Sequence, residues 1–440
     1  MTNSVNKNPK SSTQAYRASI LHFNHDPAFH EQAYDWFEDG LLIICNGKVQ
    51  QVGNYEQLKS SLLDGIIVED YRGKLLIPGF IDTHIHYPQT DMIASPAPGL
   101  LPWLETYTFP TERQFSDINH SREVAHFFIN ELLRCGTTTA MVYCTVHPES
   151  VDAFFAESES RNLRMVAGKI MMDRNCPEFL RDSAERGAQE SEELIKKWHK
   201  RGRQLYAITP RFAPTSTEAQ LQLASELART YPDTYLQTHV AENADEVAWV
   251  KALFPKARSY MDVYDHYGMM RPRAMYAHCI WLDDQDRVRM AETHSAVAIC
   301  PTSNLFLGSG MFDFSKADSN QLALSLATDV GGGTSFSMLQ TMNEAYKVAR
   351  MGGSYLPALR MFYLATLGAA RSMQLEGVIG NFCVGAEADF IVLDLQATPL
   401  LARRTSRTTS LEELLFALAI LGDDRTVLAT YAAGRQVHLR

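Results

Sequence analysis

The fold is decided by the stretch Pro78-Gly79-Phe80-Ile81-Asp82-Thr83-His84-Ile85-His86, in which an apolar strand runs into two histidines. Successive side chains of a strand point to opposite faces, so His84 and His86 share a face and stand about 6.6 Å apart along the chain. At that spacing both imidazoles can converge on one metal ion. For this short motif alone, two hydrogen-bonded surface histidines are the alternative.

Three further predicted strands end in residues able to bind or serve a divalent metal. They end in Gln237-Thr238-His239-Val240-Ala241-Glu242, Tyr276-Ala277-His278-Cys279 and Ala327-Thr328-Asp329-Val330. Imidazole and carboxylate are the ligands of a catalytic zinc that keeps one position open for water. Taken singly, His278 can be a hydrogen-bonded core histidine and Asp329 a helix cap before a glycine turn. Together, the four strand ends predict a metal site.

Alternation of short β-rich runs with helical stretches predicts an α/β fold, a (β/α)8 TIM barrel. Its active site is expected at the C-terminal ends of the strands. The eight predicted strands are 75–83, 137–146, 164–172, 205–212, 235–240, 274–279, 296–301 and 322–329. The helix candidates between them are 121–135, 184–201, 217–230, 245–253, 284–293 and 338–351.

Both ends of the chain carry strand patterns without intervening helices, at 18–23, 40–54, 66–76, 390–395 and 427–437. Turn signals at Asn46-Gly47 and Gly434-Arg435 punctuate them. We therefore predict one small composite β domain, formed by residues 1–75 and 381–440, with the barrel of residues 76–380 inserted between. The polar first dozen residues are expected to be mobile.

Composition narrows the classes of partner. The chain has 440 residues, of which 45% are hydrophobic and 21% charged, so it can bury a large core. Its 41 basic and 51 acidic residues give a net charge of −10, which disfavours nucleic acid and anionic membranes as partners. A small molecule is the expected ligand.

Cysteine use and the N-terminus bear on location. The seven cysteines are dispersed and form no CxxC pair, which argues against a disulfide framework or a cysteine-built zinc site. The N-terminus is polar and lacks the apolar stretch of a secretory signal. We expect reduced thiols and a cytoplasmic protein.

The ordered motifs PGFIDTHIH, HVAE, AHC and TDVG resemble those of the amidohydrolase superfamily between Pro78 and Asp329. Within it, the chain is similar to the guanine deaminase family. The more specific stretches are His86-Tyr87-Pro88-Gln89, Leu101-Pro102-Trp103-Leu104-Glu105-Thr106-Tyr107-Thr108-Phe109-Pro110, Thr209-Pro210-Arg211-Phe212 and Leu421-Gly422-Asp423-Asp424-Arg425. The resemblance implies a homodimer.

The resemblance also implies one zinc ion per subunit, bound by His84, His86, His239 and Asp329. Dinuclear relatives carry a carboxylated lysine at the end of the fourth strand, where this chain has Thr209-Pro210-Arg211-Phe212. Lys169 lies on the third predicted strand, and we expect it to be structural.

The reaction implied is zinc-dependent hydrolytic deamination of guanine to xanthine and ammonia. Three residues would be catalytic. Asp329 would activate the zinc-bound water, and Glu242 would protonate N3 and pass a proton to the leaving amine. His278 would orient the water. A solvated loop acid is the alternative for Glu242.

By the same resemblance, Gln89, Arg211 and Phe212 bind the base, together with His86, His239, Glu242 and Asp329 at the reacting end. Guanine offers O6 and N7 as acceptors, which arginine commonly addresses. The alternative is that Arg211 pairs with a neighbouring acid and that Phe212 is a core residue.

The proline-rich stretch 88–112 predicts a long loop over the barrel mouth, acting as a lid. Its aromatic residues Trp103, Tyr107 and Phe109 can shield the site, anchor the loop or contact a second subunit. Two rival functions remain. One is an aminohydrolase of the same fold acting on a pterin, triazine, cytosine or S-adenosylhomocysteine, and the other is a non-catalytic scaffold.

Overall fold

The computed structural model describes residues 13–62, 65–96 and 98–440. The predicted mobility of the first dozen residues concerns residues outside these ranges. Among the described residues, strands fall into two sheets.

A parallel barrel forms the centre of the molecule. Its strands are β5 (Phe80–His86), β6 (Thr137–Tyr143), β7 (Arg164–Gly168), β8 (Ile170–Met171), β9 (Leu205–Pro210), β10 (Tyr235–Val240), β11 (Ala274–His278), β12 (Ala296–Ile299) and β13 (Ala323–Leu326). The short strands β7 and β8 both pair with β9 and together form the third strand of the barrel. The backbone N–H of Asp329 donates to the carbonyl of His84, which joins the last strand to the first. The predicted (β/α)8 barrel is confirmed.

Helices cover the outside of this barrel because each buries one apolar face against the strands. The longer ones are Ile118–Arg134, Pro148–Ser160, Ala184–Trp198, Glu218–Thr230, Ala244–Leu253, Asp284–Glu292, Met338–Met351 and Leu411–Leu421. Shorter ones are Tyr260–His266, Pro301–Phe306, Phe314–Ser319, Ala358–Leu364, Leu367–Ser372 and Pro399–Thr405. The short helix Tyr55–Leu58 lies away from the barrel and packs against Ala15, Leu41 and Ile43. In the part of the chain that the structure describes, no helix combines the length and apolar character needed to cross a membrane.

The two ends of the chain build the second sheet together. Its strands are β1 (Thr13–Phe23), β2 (Tyr34–Cys45), β3 (Lys48–Asn54), β4 (Val68–Pro78), β14 (Phe390–Leu393), β15 (Val427–Ala432) and β16 (Arg435–Leu439). The strand order is β16-β15-β14-β4-β1-β2-β3, so β4 from the N-terminal part pairs with β14 from the C-terminal part. The composite β sheet is thereby confirmed, whereas the division at residues 75/76 and 380/381 stays a prediction.

The predicted first barrel strand, 75–83, is wrong in its bounds. Residues up to Pro78 belong to the terminal sheet, and the barrel begins at Phe80. Gly79 separates the two, since a Cβ atom there would lie 2.2 Å from the Thr138 hydroxyl oxygen. Only glycine lets the backbone pass this close to β6 while it changes sheets.

Side chains, rather than solvent, fill the interior of the barrel, as expected of this fold. Buried members include Ile81, Met141, Val166, Tyr235 and Met275. A packed floor leaves the C-terminal ends of the strands as the place where polar side chains can face a ligand.

Candidate metal centre and active site

Three histidines from two barrel strands, β5 and β10, and an aspartate that follows β13 meet at the C-terminal mouth. His86 Nε2 lies 3.3 Å from His84 Nε2 and 3.2 Å from His239 Nε2. Asp329 Oδ1 lies 3.2 Å from His84 Nε2 and 3.5 Å from His86 Nε2. The structure therefore brings together the four residues that the sequence predicts as metal ligands.

The protonation states of this group suit a metal ion. Burial lowers the pKa of His84, His86 and His239, which keeps the imidazoles neutral, as metal ligands must be. His239 Nδ1 lies 2.7 Å from the carbonyl oxygen of Arg211; donation there leaves the Nε2 lone pair for the cluster. Burial opposes ionisation of Asp329, yet its contact with His84 brings the pKa of that carboxyl to about 2. Neutral imidazoles with one carboxylate fit a divalent ion such as zinc.

Cys300, which the sequence motifs do not indicate as a site residue, lies beside this group. Its sulfur and the ligand atoms of His84, His278 and Asp329 all lie within 4.8 Å of one another. Burial holds the pKa of the thiol well above its usual range, so it stays protonated and is a poor ligand. Its position directly after β12 could have indicated from the sequence that it lies near the site, because all strands of the barrel end at the same mouth.

Glu242 and His278 form a second pair in the same cavity. His278 Nε2 lies 3.4 Å from Glu242 Oε2. Glu242 is 3% exposed and accepts a hydrogen bond of 2.9 Å from the Ser309 hydroxyl, so it is not a solvated loop acid. His278 Nδ1 contacts the Asn304 side-chain oxygen at 2.8 Å, which directs Nε2 towards the cavity.

The titration of this pair suits proton transfer near neutral pH. Burial raises the pKa of Glu242 to about 7, partly offset by His278. Burial also opposes protonation of His278, but Glu242 and Asp329 outweigh it and raise the pKa of the imidazole. The two groups therefore hold protons that can move at physiological pH.

The strand ends at the site carry backbone conformations that non-glycine residues rarely adopt. Ala241, His278, Cys279 and Asp329 have φ angles of 50°, 72°, 54° and 52°. Each such residue costs of order 1–3 kcal/mol and persists where packing holds it, typically at functional sites. Two of the four, His278 and Asp329, line the cavity at the mouth.

Gln89 and Arg211 lie at another side of the cavity and share the carboxylate of Glu112, which no sequence motif predicts as a site residue. Glu112 accepts hydrogen bonds from Arg211 Nη1 at 2.7 and 3.0 Å and from Gln89 Nε2 at 3.0 Å. The alternative that Arg211 pairs with an acid is therefore realised, although Arg211 also lines the cavity. Glu112 is the last residue of the segment predicted as a lid. That position is the feature of the sequence that could have pointed to it.

The predicted lid at 88–112 is not an irregular loop. It folds into the short helical pieces Tyr87–Met92, Leu100–Trp103, Leu104–Thr108 and Phe109–Glu112. Trp103 is buried and its indole N–H donates to the Ser95 carbonyl at 3.0 Å. Phe109 packs against the Arg211 guanidinium, 5.5 Å from ring centre to Cζ, whereas Tyr107 is half-buried. Turn-length helices give too little periodicity for sequence reasoning to find.

One cavity lies between the metal group and the pair Gln89 and Arg211. Its volume is about 30 Å³. The lining includes His86, His239, Glu242 and Asp329, then Gln89, Arg211 and Phe212, and finally Leu100, Trp103 and Leu104 from the short helices. Phe212 is buried and its ring lies edge-on to Trp249, with 6.2 Å between centroids, so it is both a core residue and a cavity wall.

Lys169 lies outside this cavity. It is fully buried, contacts Asp182, and its Nζ lies 3.3 Å from Glu190. A lysine held by two carboxylates in this way acts in packing, in line with the sequence interpretation.

Known proteins with similar sequences and structures also have this fold. The model of the amidohydrolase family matches residues 75–437. A guanine deaminase of Escherichia coli (strain K12) is 52% identical over 408 residues, covering 93% of each chain. The structure titled E. coli Guanine Deaminase superposes with a TM-score of 0.95 at 50% identity, covering 97% of this chain and 100% of that one.

A more distant structure carries a ligand. It is titled as guanine deaminase from C. acetobutylicum with bound guanine in the active site. It has a TM-score of 0.87 at 25% identity and covers 97% of this chain and 100% of that one. The chain therefore belongs to the amidohydrolase family and, within it, to the guanine deaminases.

Proposed function

We propose that this enzyme hydrolyses guanine to xanthine and ammonia with one zinc ion per subunit. The observation that carries the proposal is a single cavity with a histidine–carboxylate metal group at one side and an amide–guanidinium pair at another. The first group suits hydrolysis, and the second suits the carbonyl edge of a purine.

His84, His86, His239 and Asp329 are the residues that would hold the ion. When bound, a divalent metal of this kind lowers the pKa of a water molecule towards 7 and so supplies the nucleophile. The remaining work falls to the side chains of the protein.

Asp329 would accept the proton of the attacking water. With a pKa of about 2, its carboxyl is ionised at neutral pH, so its oxygens are free of protons and able to accept one from the water. His278, whose Nε2 lies 3.8 Å from Asp329 Oδ2, would orient the water by a hydrogen bond.

Glu242 would protonate N3 of the base as the water adds to C2. It would then take up the proton left on the added oxygen and pass it to the departing amine, and the proton held by Asp329 would return Glu242 to its starting state. A pKa of about 7 supports this assignment, because the protonated and ionised forms are both populated at neutral pH. The hydrogen bond from Ser309 holds the carboxyl in one orientation.

Arg211 and Gln89 would donate to the oxygen and ring nitrogen on the other edge of the base, with Phe212 packed beside it. A site built from donors rejects a base that presents an amino group at that position by about 10⁴ to 10⁵. Adenine is therefore expected to be a very poor substrate.

The segment 88–112 would act as a lid. Leu100, Trp103 and Leu104 of this segment line the cavity, so they would lie against a bound base. Closure over the base would exclude bulk water from the reacting end.

Location and assembly are further proposals. We place the enzyme in the cytoplasm, where its seven free cysteines would remain reduced. By resemblance to the family we propose a homodimer.

Release of ammonia from guanine, adenine and cytosine by the zinc-loaded enzyme tests the proposal. We expect turnover of guanine alone, with xanthine as the product. Turnover of another heterocycle in place of guanine would refute the substrate assignment while leaving the metal chemistry in place.

A further inference from the structure

Glu112 is a buried acid with no place in the chemistry described so far. It is 0% exposed, and its carboxylate contacts only Arg211 and Gln89 within the described ranges. The hydrogen bonds that it accepts therefore come from the two residues proposed to bind the purine edge.

These contacts fix which atoms of Gln89 and Arg211 remain for a ligand. Gln89 Nε2 donates to Glu112, and Gln89 Oε1 accepts from the Gly331 backbone N–H at 3.3 Å. The Gln89 amide oxygen is therefore engaged, and the second N–H of the same amide is the group left for a ligand. Arg211 uses Nη1 for Glu112, whereas its Nε and Nη2 make no hydrogen bond to any residue that the structure describes.

The result is an edge of the cavity where the groups left free are the N–H donors of Gln89 and Arg211, while the Gln89 oxygen is already engaged by Gly331. A carbonyl oxygen or an unprotonated ring nitrogen matches it, whereas an exocyclic amino group does not. Without a carboxylate at position 112, the Gln89 amide can rotate by 180° and present its oxygen instead.

Glu112 also balances the charge of the site. Arg211 is 3% exposed, and a buried cation without a partner would favour anionic ligands over neutral ones. The ion pair leaves a donor-rich but electrically neutral edge, which suits a neutral base.

We propose that Glu112 is a positioning residue that sets Gln89 and Arg211 as donors and thereby selects purines with a carbonyl group at C6. The inference rests on the proposed function, because it takes the carbonyl edge of guanine as the ligand. Glu112 touches neither the reacting carbon nor the metal group, so its effect is on binding rather than on the chemical step.

The test uses the full-length, zinc-loaded enzyme and the variant Glu112→Gln, which keeps the shape and removes the charge. Four quantities are measured: kcat and KM for guanine, and the Kd values of hypoxanthine and adenine by calorimetry. Hypoxanthine carries the C6 carbonyl but no amine at C2, so its binding reports this edge without turnover.

We expect KM for guanine and Kd for hypoxanthine to rise about 10- to 100-fold, the size of a lost charged hydrogen bond, while kcat changes less than about threefold. The preference for hypoxanthine over adenine is expected to fall. Adding Glu112→Gln to Arg211→Gln is expected to cost less than about threefold more, because the two act as one unit.

Glu387→Gln is the matched control, since Glu387 pairs with Arg164 and Arg203 away from the cavity. It is expected to lower thermal stability without changing KM. If Glu112→Gln behaves like this control, with unchanged KM and unchanged base preference, Glu112 is only structural and the proposal is wrong.

The outcomes also separate this proposal from the proposed function. Failure of the wild-type enzyme to convert guanine, with hypoxanthine binding that still weakens in Glu112→Gln, refutes the function and supports the role of Glu112. Conversion of guanine with unchanged binding refutes only the role of Glu112. Wild-type protein that binds neither guanine nor hypoxanthine refutes both.

Discussion

Replacement of Glu242 by glutamine removes the proposed proton shuttle while keeping the side chain in place. The amide oxygen of glutamine can still accept the hydrogen bond that the Ser309 hydroxyl gives at 2.9 Å. Glutamine cannot deliver or take up a proton near neutral pH. The variant therefore separates proton transfer from the packing of this wall of the cavity.

The expected loss follows from the role. A general acid–base group whose pKa is near the working pH contributes about 10² to 10⁴ in rate, and the pKa of Glu242 is about 7. This loss corresponds to about 3–5 kcal/mol in the activation free energy. KM for guanine is expected to change little, because Gln89 and Arg211 would still hold the far edge of the base.

Steady-state formation of xanthine, followed by absorbance, measures the loss, and the metal content of each preparation is determined in parallel. The metal content is expected to equal that of the wild-type enzyme, because Glu242 is not one of the four residues of the metal group. A kcat within threefold of wild type at equal metal content would refute the shuttle. Loss of metal from the variant would show that Glu242 acts on the ion instead.

Four other predictions concern titration, metal and packing. Ser309→Ala removes a hydrogen bond that favours the ionised form of Glu242; the raised pKa should move the alkaline limb of the pH–rate profile to higher pH. Treatment with a chelator should abolish turnover and lower Tm, and added zinc should restore both; an activity assay measures the first and a calorimetric scan the second. Gly79→Ala should lower stability by about 1–3 kcal/mol, because its Cβ would collide with Thr138; denaturant unfolding checks this. Burial opposes ionisation of Glu387, but its arginine partners outweigh burial and lower the pKa of the carboxyl. Its stabilising effect is therefore full above roughly pH 4.3 and is lost on acidification, so Glu387→Gln should flatten the acid side of a plot of stability against pH.

The barrel and its metal group could be predicted from the sequence because their signals are local and ordered. The histidine pair at 84 and 86 has the period of a strand, and His239, His278 and Asp329 each lie at the end of a predicted strand. Strand ends of a parallel barrel meet at one mouth whatever the details of packing. Four such signals in order were therefore enough to indicate one site.

The supporting residues could not be predicted because their roles arise from contacts between distant parts of the chain. Glu112 is 99 residues from Arg211, and Ser309 is 67 residues from Glu242, with no pattern that links either pair. The break at Gly79 depends on the closeness of Thr138, which belongs to the next strand of the barrel. In each case the decisive fact is a distance in space.

The central claim is hydrolysis at C2 of guanine, and the fate of solvent oxygen tests it most directly. Guanine is incubated with zinc-loaded enzyme in water enriched in oxygen-18, and the purine products are analysed by mass spectrometry. We predict xanthine that carries one labelled oxygen at C2, formed with an equal amount of ammonia and absent after removal of the metal. Unchanged guanine, or xanthine without the label, would contradict the account.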